Sequence, residues 1–252
     1  MTIALTLHTI DHLLGRVDKA SLCEHTLMEL LVEDLKNTAE IRNENLCDWK
    51  DIKMDANHHV THINWSRLQL SGTMQFQWLP TSLQELDVEG NSLEGTLDFS
   101  LFPPSLYHIE VDDNDFSGEI YLRDLPVGLL YLWVSSNKLR GTLDFSQLPQ
   151  GIREVSFDRN RFSGTVDLTR LPKSLILIDI NENGFHGPVD LTNLPASLLV
   201  LNLSMNKFQG KTDFSQFPQH MTSLNVTDTQ LSGSIVVKGR TVDVKSIAGT
   251  SF

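Results

Sequence analysis

Five aspartates recur in one local setting. Asp98, Asp144, Asp167, Asp190 and Asp213 each follow a glycine by three residues, in GTLDFS (twice), GTVDLT, GPVDLT and GKTDFS. A row of carboxylates at a fixed step is a candidate for cation binding or for general acid–base work. Three histidines, His58, His59 and His62, form a second cluster with Cys47 nearby. Zinc wants four tetrahedral nitrogen or sulfur donors, and a fourth ligand is not evident there. His8 and His12 stand four residues apart but lack the glutamate of H-E-x-x-H. No G-x-S-x-G elbow, P-loop or G-x-G-x-x-G is present. The expectation is a chain that is not an enzyme and holds no metal or cofactor.

The elements that carry the aspartates follow from a period. The two GTLDFS copies start 141 − 95 = 46 residues apart, twice 23. Stepping by 23 finds glycine at every position from Gly72 to Gly233, proline from Pro80 to Pro218, and asparagine from Asn91 to Asn206. A period of this size signals stacked coils, none of which buries its apolar side alone. Leu86, Ile109, Leu132, Val155, Ile178, Leu201 and Leu224 form one apolar column. Val88, Val111, Val134, Phe157, Ile180, Leu203 and Val226 form another two residues on, the spacing of the buried face of short strands. Leu93, Phe116, Leu139, Phe162, Phe185, Phe208 and Leu231 fill the interior behind them. Each asparagine is expected to bond backbone groups where its coil leaves the strand, and each glycine to take a positive φ or a close contact.

One unit, LPASLLVLNLSMNKFQGKTDFSQ (Leu194 to Gln216), contains L-x-x-L-x-L-x-x-N. With the F/L-x-G that follows, the chain resembles the leucine-rich repeat superfamily, and most of all its plant-type subclass. An aspartate stands near that subclass's second proline. The segment CDWKDIKMDANHHVTHI (Cys47 to Ile63) is similar to the plant-type N-terminal cap C-x-W-x-G-V-x-C-D, with Cys47, Trp49, Ile52, Asp55, Val60 and Ile63 in place. Met54 stands where the second cysteine would be. The implied fold is an α/β solenoid with a curved parallel β-sheet of about eight coils and a mostly non-helical convex side. The expected organisation is a helical cap over residues 1–46, a cap loop and first coil over 47–78, seven 23-residue repeats over 79–239 and a capping strand over 240–252. Ile3, Leu7, Ile10, Leu14 and Val17 predict one helix, and a Ser21–Glu24 capping box ahead of Leu27, Leu30, Leu31 and Leu35 predicts a second.

In such coils the aspartate row points outward, bonding the Ser or Thr two residues on. Tyr121 breaks the row in GEIYLR. The row is therefore expected to be scaffold, and function to lie on the concave strands, whose outward residues the scaffold does not dictate. These read Glu85, Asp87, Glu89; His108, Glu110, Asp112; Tyr131, Trp133, Ser135; Glu154, Ser156, Asp158; and Leu177, Asp179, Asn181. The candidate partner-binding residues are the acidic members of this set with His108, Tyr131 and Trp133. Aromatic rings ringed by carboxylates suit a basic protein segment.

With 32 acidic and 20 basic residues the net charge is −12, which opposes nucleic-acid binding and favours a basic or cationic partner. The partner reading allows a subunit of a larger assembly. No apolar stretch approaches the ~20 residues of a membrane span. The N-terminus makes a poor secretory signal, since His8, Asp11 and His12 interrupt its apolar character. Sequons at Asn64, Asn202 and Asn225 share one strand position, where a glycan would crowd the sheet. The expectation is a cytoplasmic scaffold or adaptor. The alternative is a secreted or cell-surface recognition domain, with Cys23 and Cys47 open to pairing.

Overall fold

The computed structural model describes residues 18–237, 240–243 and 250–251. The helix expected at Ile3–Val17, with His8 and His12, lies outside them. Strands are numbered along the chain. One sheet is built on the L-x-L motif of each coil: β3 (Val60–Asn64), β5 (Glu85–Asp87), β7 (His108–Glu110), β9 (Tyr131–Trp133), β11 (Glu154–Ser156), β13 (Leu177–Asp179), β15 (Val200–Asn202) and β17 (Ser223–Asn225). These eight strands are all parallel, seven turns of chain connect them, and each pairs in the same register, as in Leu86↔Ile109 and Ile109↔Leu132. β2 (Ile52–Met54) and β21 (Thr250–Ser251) close its two ends antiparallel.

A second sheet runs along the other side, from the segments that carry the period's glycines. It comprises β1 (Leu35–Lys36), β4 (Ser71–Thr73), β6 (Ser92–Thr96), β8 (Asp115–Glu119), β10 (Lys138–Gly141), β12 (Arg161–Gly164), β14 (Gly184–Gly187), β16 (Lys207–Lys211) and β18 (Gln230–Ser232). β19 (Ser234–Val237) and β20 (Arg240–Asp243) form a hairpin. Between the sheets lies the core. The column from Leu86 to Leu201 is fully buried, and Phe162, Phe185 and Phe208 stack at 6.2 Å between ring centroids.

The asparagine column knits the coils. Asn137 Oδ1 accepts from the Phe116 N–H of the preceding coil at 2.9 Å. Its Nδ2 donates to Val111 O of that coil, and to Val134 O and Ser135 O of its own. Asn91, Asn114, Asn160, Asn183 and Asn206 do likewise. The glycines that recur every 23 residues from Gly72 to Gly210 have positive φ. At Gly141, with φ +95°, a Cβ would also meet Glu119 Cγ at 2.9 Å.

The N-terminal region departs from expectation in two places. The α-helix, α1, runs Glu24–Leu31 with Cys23 at its N-cap, so the Ser21–Glu24 capping box does not form. Ser21 belongs to a preceding 3₁₀ turn capped by Asp18, and the Glu24 carboxylate instead accepts from the Val60 N–H at 3.1 Å. Leu35 lies outside the helix, in β1, paired with Gly72. Tertiary pairing outweighs the local signal at both positions. The remaining cap matches its sequence: Trp49 is buried, its Nε1 donating to Asn43 O, and Cys47 Sγ lies 4.0 Å from Met54 Sδ.

Candidate functional site

The aspartate row resolves into turn chemistry. Asp98 and Asp144 cap short 3₁₀ helices by accepting from the N–H and Oγ of Ser100 and Ser146. Asp167 and Asp190 accept in the same way from Thr169 and Thr192, in turns without a 3₁₀ helix, and Asp213 accepts from the Ser215 N–H. These bonds favour the ionised form and hold Asp144, Asp167, Asp190 and Asp213 below the usual carboxylate range. Beside the last three lies a cavity of about 380 Å³, but their oxygens already serve the backbone. The histidine cluster is dispersed. His58 sits in a left-handed turn, His59 faces Asp55 at 3.3 Å, and His62 is carried by β3 onto the sheet, 3.6 Å from Glu85.

The L-x-L sheet gathers the expected site residues on one face. Register places Glu85, His108, Tyr131 and Glu154 in one row, and Asp87, Glu110, Trp133 and Ser156 in the next. The His108 ring packs edge-on against both Tyr131 and Trp133, at 5.7 Å from each. Its Nε2 lies 3.4 Å from Glu110 Oε2, an ion-pair distance that falls short of hydrogen-bond geometry. That carboxylate raises the His108 pKa against the opposing effect of burial.

The carboxylates here are treated unlike those of the outer row. Burial raises Asp87 although it accepts from the Glu89 N–H, and Glu110 and Glu89 add repulsion. Burial pushes Asp112 up to about 7 although it accepts from the Ser135 N–H, and Glu110, Asp158 and Asp113 press in the same direction. Glu85 accepts from the Tyr107 hydroxyl, which lifts that phenol to about 12. The Glu154 carboxylate makes no hydrogen bond or ion pair among the described residues.

Three residues expected on this face also serve other groups, as Asp87 does by accepting from the Glu89 N–H and Asn64 Nδ2. Asp158 is buried, accepting from Ser156 Oγ and pairing with Arg159 at 3.0 Å. Asp179, further along, accepts from Asn181 and from Asn202 Nδ2. Glu89 pairs with Arg67 at 2.7 Å. Two residues not among those expected share the face: His62 and Asn64 lie 23 residues before Glu85 and Asp87 and continue the two rows. With Asp51, Ile52, Lys53, Ile63, Glu85, Asp87 and His108 they line a cavity of about 490 Å³. The period marks both positions, but the irregular pairing of β2 with β3 interrupts the pattern just before them.

The sequons also lie on this face. Asn64 Nδ2 bonds Asp87, Asn202 Nδ2 bonds Asp179, and Asn225 Nδ2 bonds Ser204, while each Asn Oδ1 accepts from the Ser or Thr of its own motif. Cys23 and Cys47 are free and exposed, and no helix among the described residues is long and apolar enough to cross a membrane.

No protein-family model matches the sequence, and no curated protein matches it. Solved structures do. PEPR1 in complex with AtPEP1 aligns at 21% identity and a TM-score of 0.59, over 84% of this chain and 36% of that one. The LRR ectodomain of the Arabidopsis thaliana receptor kinase GASSHO1/SCHENGEN3, in complex with CASPARIAN STRIP INTEGRITY FACTOR 2, gives 21% and 0.59 over 83% and 30%. The Arabidopsis HAESA ectodomain with an IDA peptide hormone ligand gives 18% and 0.53 over 82% and 49%. The chain thus has the leucine-rich repeat solenoid fold, of the plant type, and spans 30% to 49% of the length of those chains.

Proposed function

We propose that this chain is a non-catalytic recognition domain that binds a basic protein segment on its L-x-L sheet, around Tyr131 and Trp133. The observation that carries the reading is the Trp133 surround. Its strand neighbours set Glu110 and Asp112 on one side and Glu154 on the other, with His108 against the ring itself. Burial and mutual repulsion raise Asp87 and Asp112, so an incoming cation relieves an existing electrostatic strain rather than only adding a contact. Half-buried rings flanked by carboxylates suit stacking with arginine or lysine. The structural neighbours named as receptor ectodomains with bound ligands support a secreted or cell-surface setting for such binding.

A cytoplasmic adaptor, within a larger assembly, is the second reading, favoured by the exposed free thiols of Cys23 and Cys47. Capture of arginine-rich peptides by the wild-type chain tests the binding proposal. Trp133→Ala should weaken capture about 30-fold, as expected for an interface anchor, and added salt should weaken it further. Unchanged capture by Trp133→Ala would remove the site from this face. Intact mass of material from its native source, with and without reductant, separates the two settings: a Cys23–Cys47 bridge marks the secreted one.

A further inference from the structure

The face offers two places for a cation, and they differ in build. One is the Trp133 ring with Glu110 beside it across the strand pair. The other is the 490 Å³ cavity next to the cap, floored by His62, Glu85 and Asp87 and walled by Asp51 to Lys53. With its histidines neutral, that cavity holds three carboxylates (Asp51, Glu85, Asp87) against one ammonium, Lys53. Burial holds Asp87 above the usual carboxylate range. A concave, net-negative site with a half-buried carboxylate suits one long basic side chain better than a broad contact.

Strand geometry sets the distance between the two places. The cavity lies over β3 and β5, and Trp133 is on β9, with β7 between. Two to three strand spacings amount to about 12 Å. An extended segment advances ~3.3 Å per residue and returns to one face every second residue, so side chains four apart lie ~13 Å apart. A spacing of two gives ~7 Å and a spacing of six ~20 Å, neither of which bridges the places.

We infer that the face reads an extended segment lying across its strands, with two basic side chains four residues apart, one entering the Glu85–Asp87 cavity and the other resting on Trp133. The inference rests on the proposal that a basic segment binds this sheet. Calorimetric titration with glycine-serine peptides carrying one arginine, or two at spacings of two, four or six, tests it in low salt. The spacing-four peptide should bind about tenfold more tightly than the others, the worth of one further charged hydrogen-bonded contact. Asp87→Asn and Glu85→Gln should each bring it down to the single-arginine level, with melting temperature confirming the fold. Lys53→Gln, at an exposed position, should enlarge the advantage. Trp133→Ala should weaken every peptide. Equal affinity at all spacings, or an advantage that Asp87→Asn, Glu85→Gln and Lys53→Gln leave untouched, overturns the two-point reading and leaves basic-segment binding standing. Failure of every arginine peptide to bind better than an acidic control overturns both.

Discussion

Two sets of carboxylates run along this solenoid, and folding treats them in opposite ways. Those of the GTLDFS type stand in water with their oxygens bonded to a neighbouring N–H and, in most, a hydroxyl, and the acidity of Asp144, Asp167, Asp190 and Asp213 is strengthened. Those of the L-x-L face are partly buried beside one another, and the acidity of Asp87 and Asp112 is weakened. The first set repeats with the coil, and the second does not. A residue repeated in most coils answers a need those coils share, which is closing the turn. One found in a few coils is not demanded by the scaffold, and at Asp87 and Asp112 the raised pKa is a cost in stability wherever the group is ionised.

The comparison can be broken most severely at what both sets hang upon. Asn137→Ala would orphan the buried Phe116 N–H and strip one donor from each of three carbonyls, which keep Asn114, Asn160 and the Asp113 N–H as partners. It should cost about 3 kcal/mol in denaturant unfolding, and leave peptide affinity unchanged in the folded fraction. Asp112→Asn should do the reverse. A carboxyl whose folded pKa lies above its unfolded one destabilises the fold wherever it is ionised. Its removal should therefore stabilise by about 2 kcal/mol at pH 8, after allowance for partial exposure. The gain should fade as pH falls through about 7 towards about 4, and basic-peptide binding should weaken. Melting curves across that range check the sign.

Asp144→Ala removes a cap and should cost about 1 kcal/mol near neutral pH. Because its folded pKa is depressed, that contribution is present above the ordinary aspartate value and lost as pH falls through the folded one. Comparing the melts of the two Asp variants at pH 8 would sharpen the contrast directly, since one should rise and the other fall. The smallest effect is expected at Met54→Cys. Its sulfur neighbour Cys47 is in place, so under oxidising conditions a bridge should form, visible by mass and, closing only a short loop, worth about 0.5 kcal/mol.

Much of the fold was legible because 23-residue periodicity exposes the same requirement over and over. The Leu86-to-Leu224 column and the Asn91-to-Asn206 column needed no structure to be found. The second sheet was hidden, since strands such as Lys138–Gly141 bury a single large side chain and contain a glycine that alone would argue against a strand. Their pairing partner is the next coil, not anything nearby in sequence. In α1 a capping box failed because Glu24 was claimed by Val60, 36 residues away. At the site, Tyr131, Trp133 and the carboxylates were readable as departures from the period, whereas His62 and Asn64 were obscured by the bulged cap. That Asp158 is covered and Asp179 engaged by amides could not be read from alternation, which gives the side of the sheet but not what lies over it.

The asparagine column has a consequence for how the molecule is made. Each of these side chains satisfies backbone groups of the coil before its own, so a coil is finished only when the following one arrives. The column ends at Thr229, whose hydroxyl, among the described residues, bonds within its own turn, donating to Val226 O and accepting from the Leu231 N–H. On a ribosome the chain therefore matures one repeat behind its point of emergence, each coil waiting for a fastener that has still to be translated.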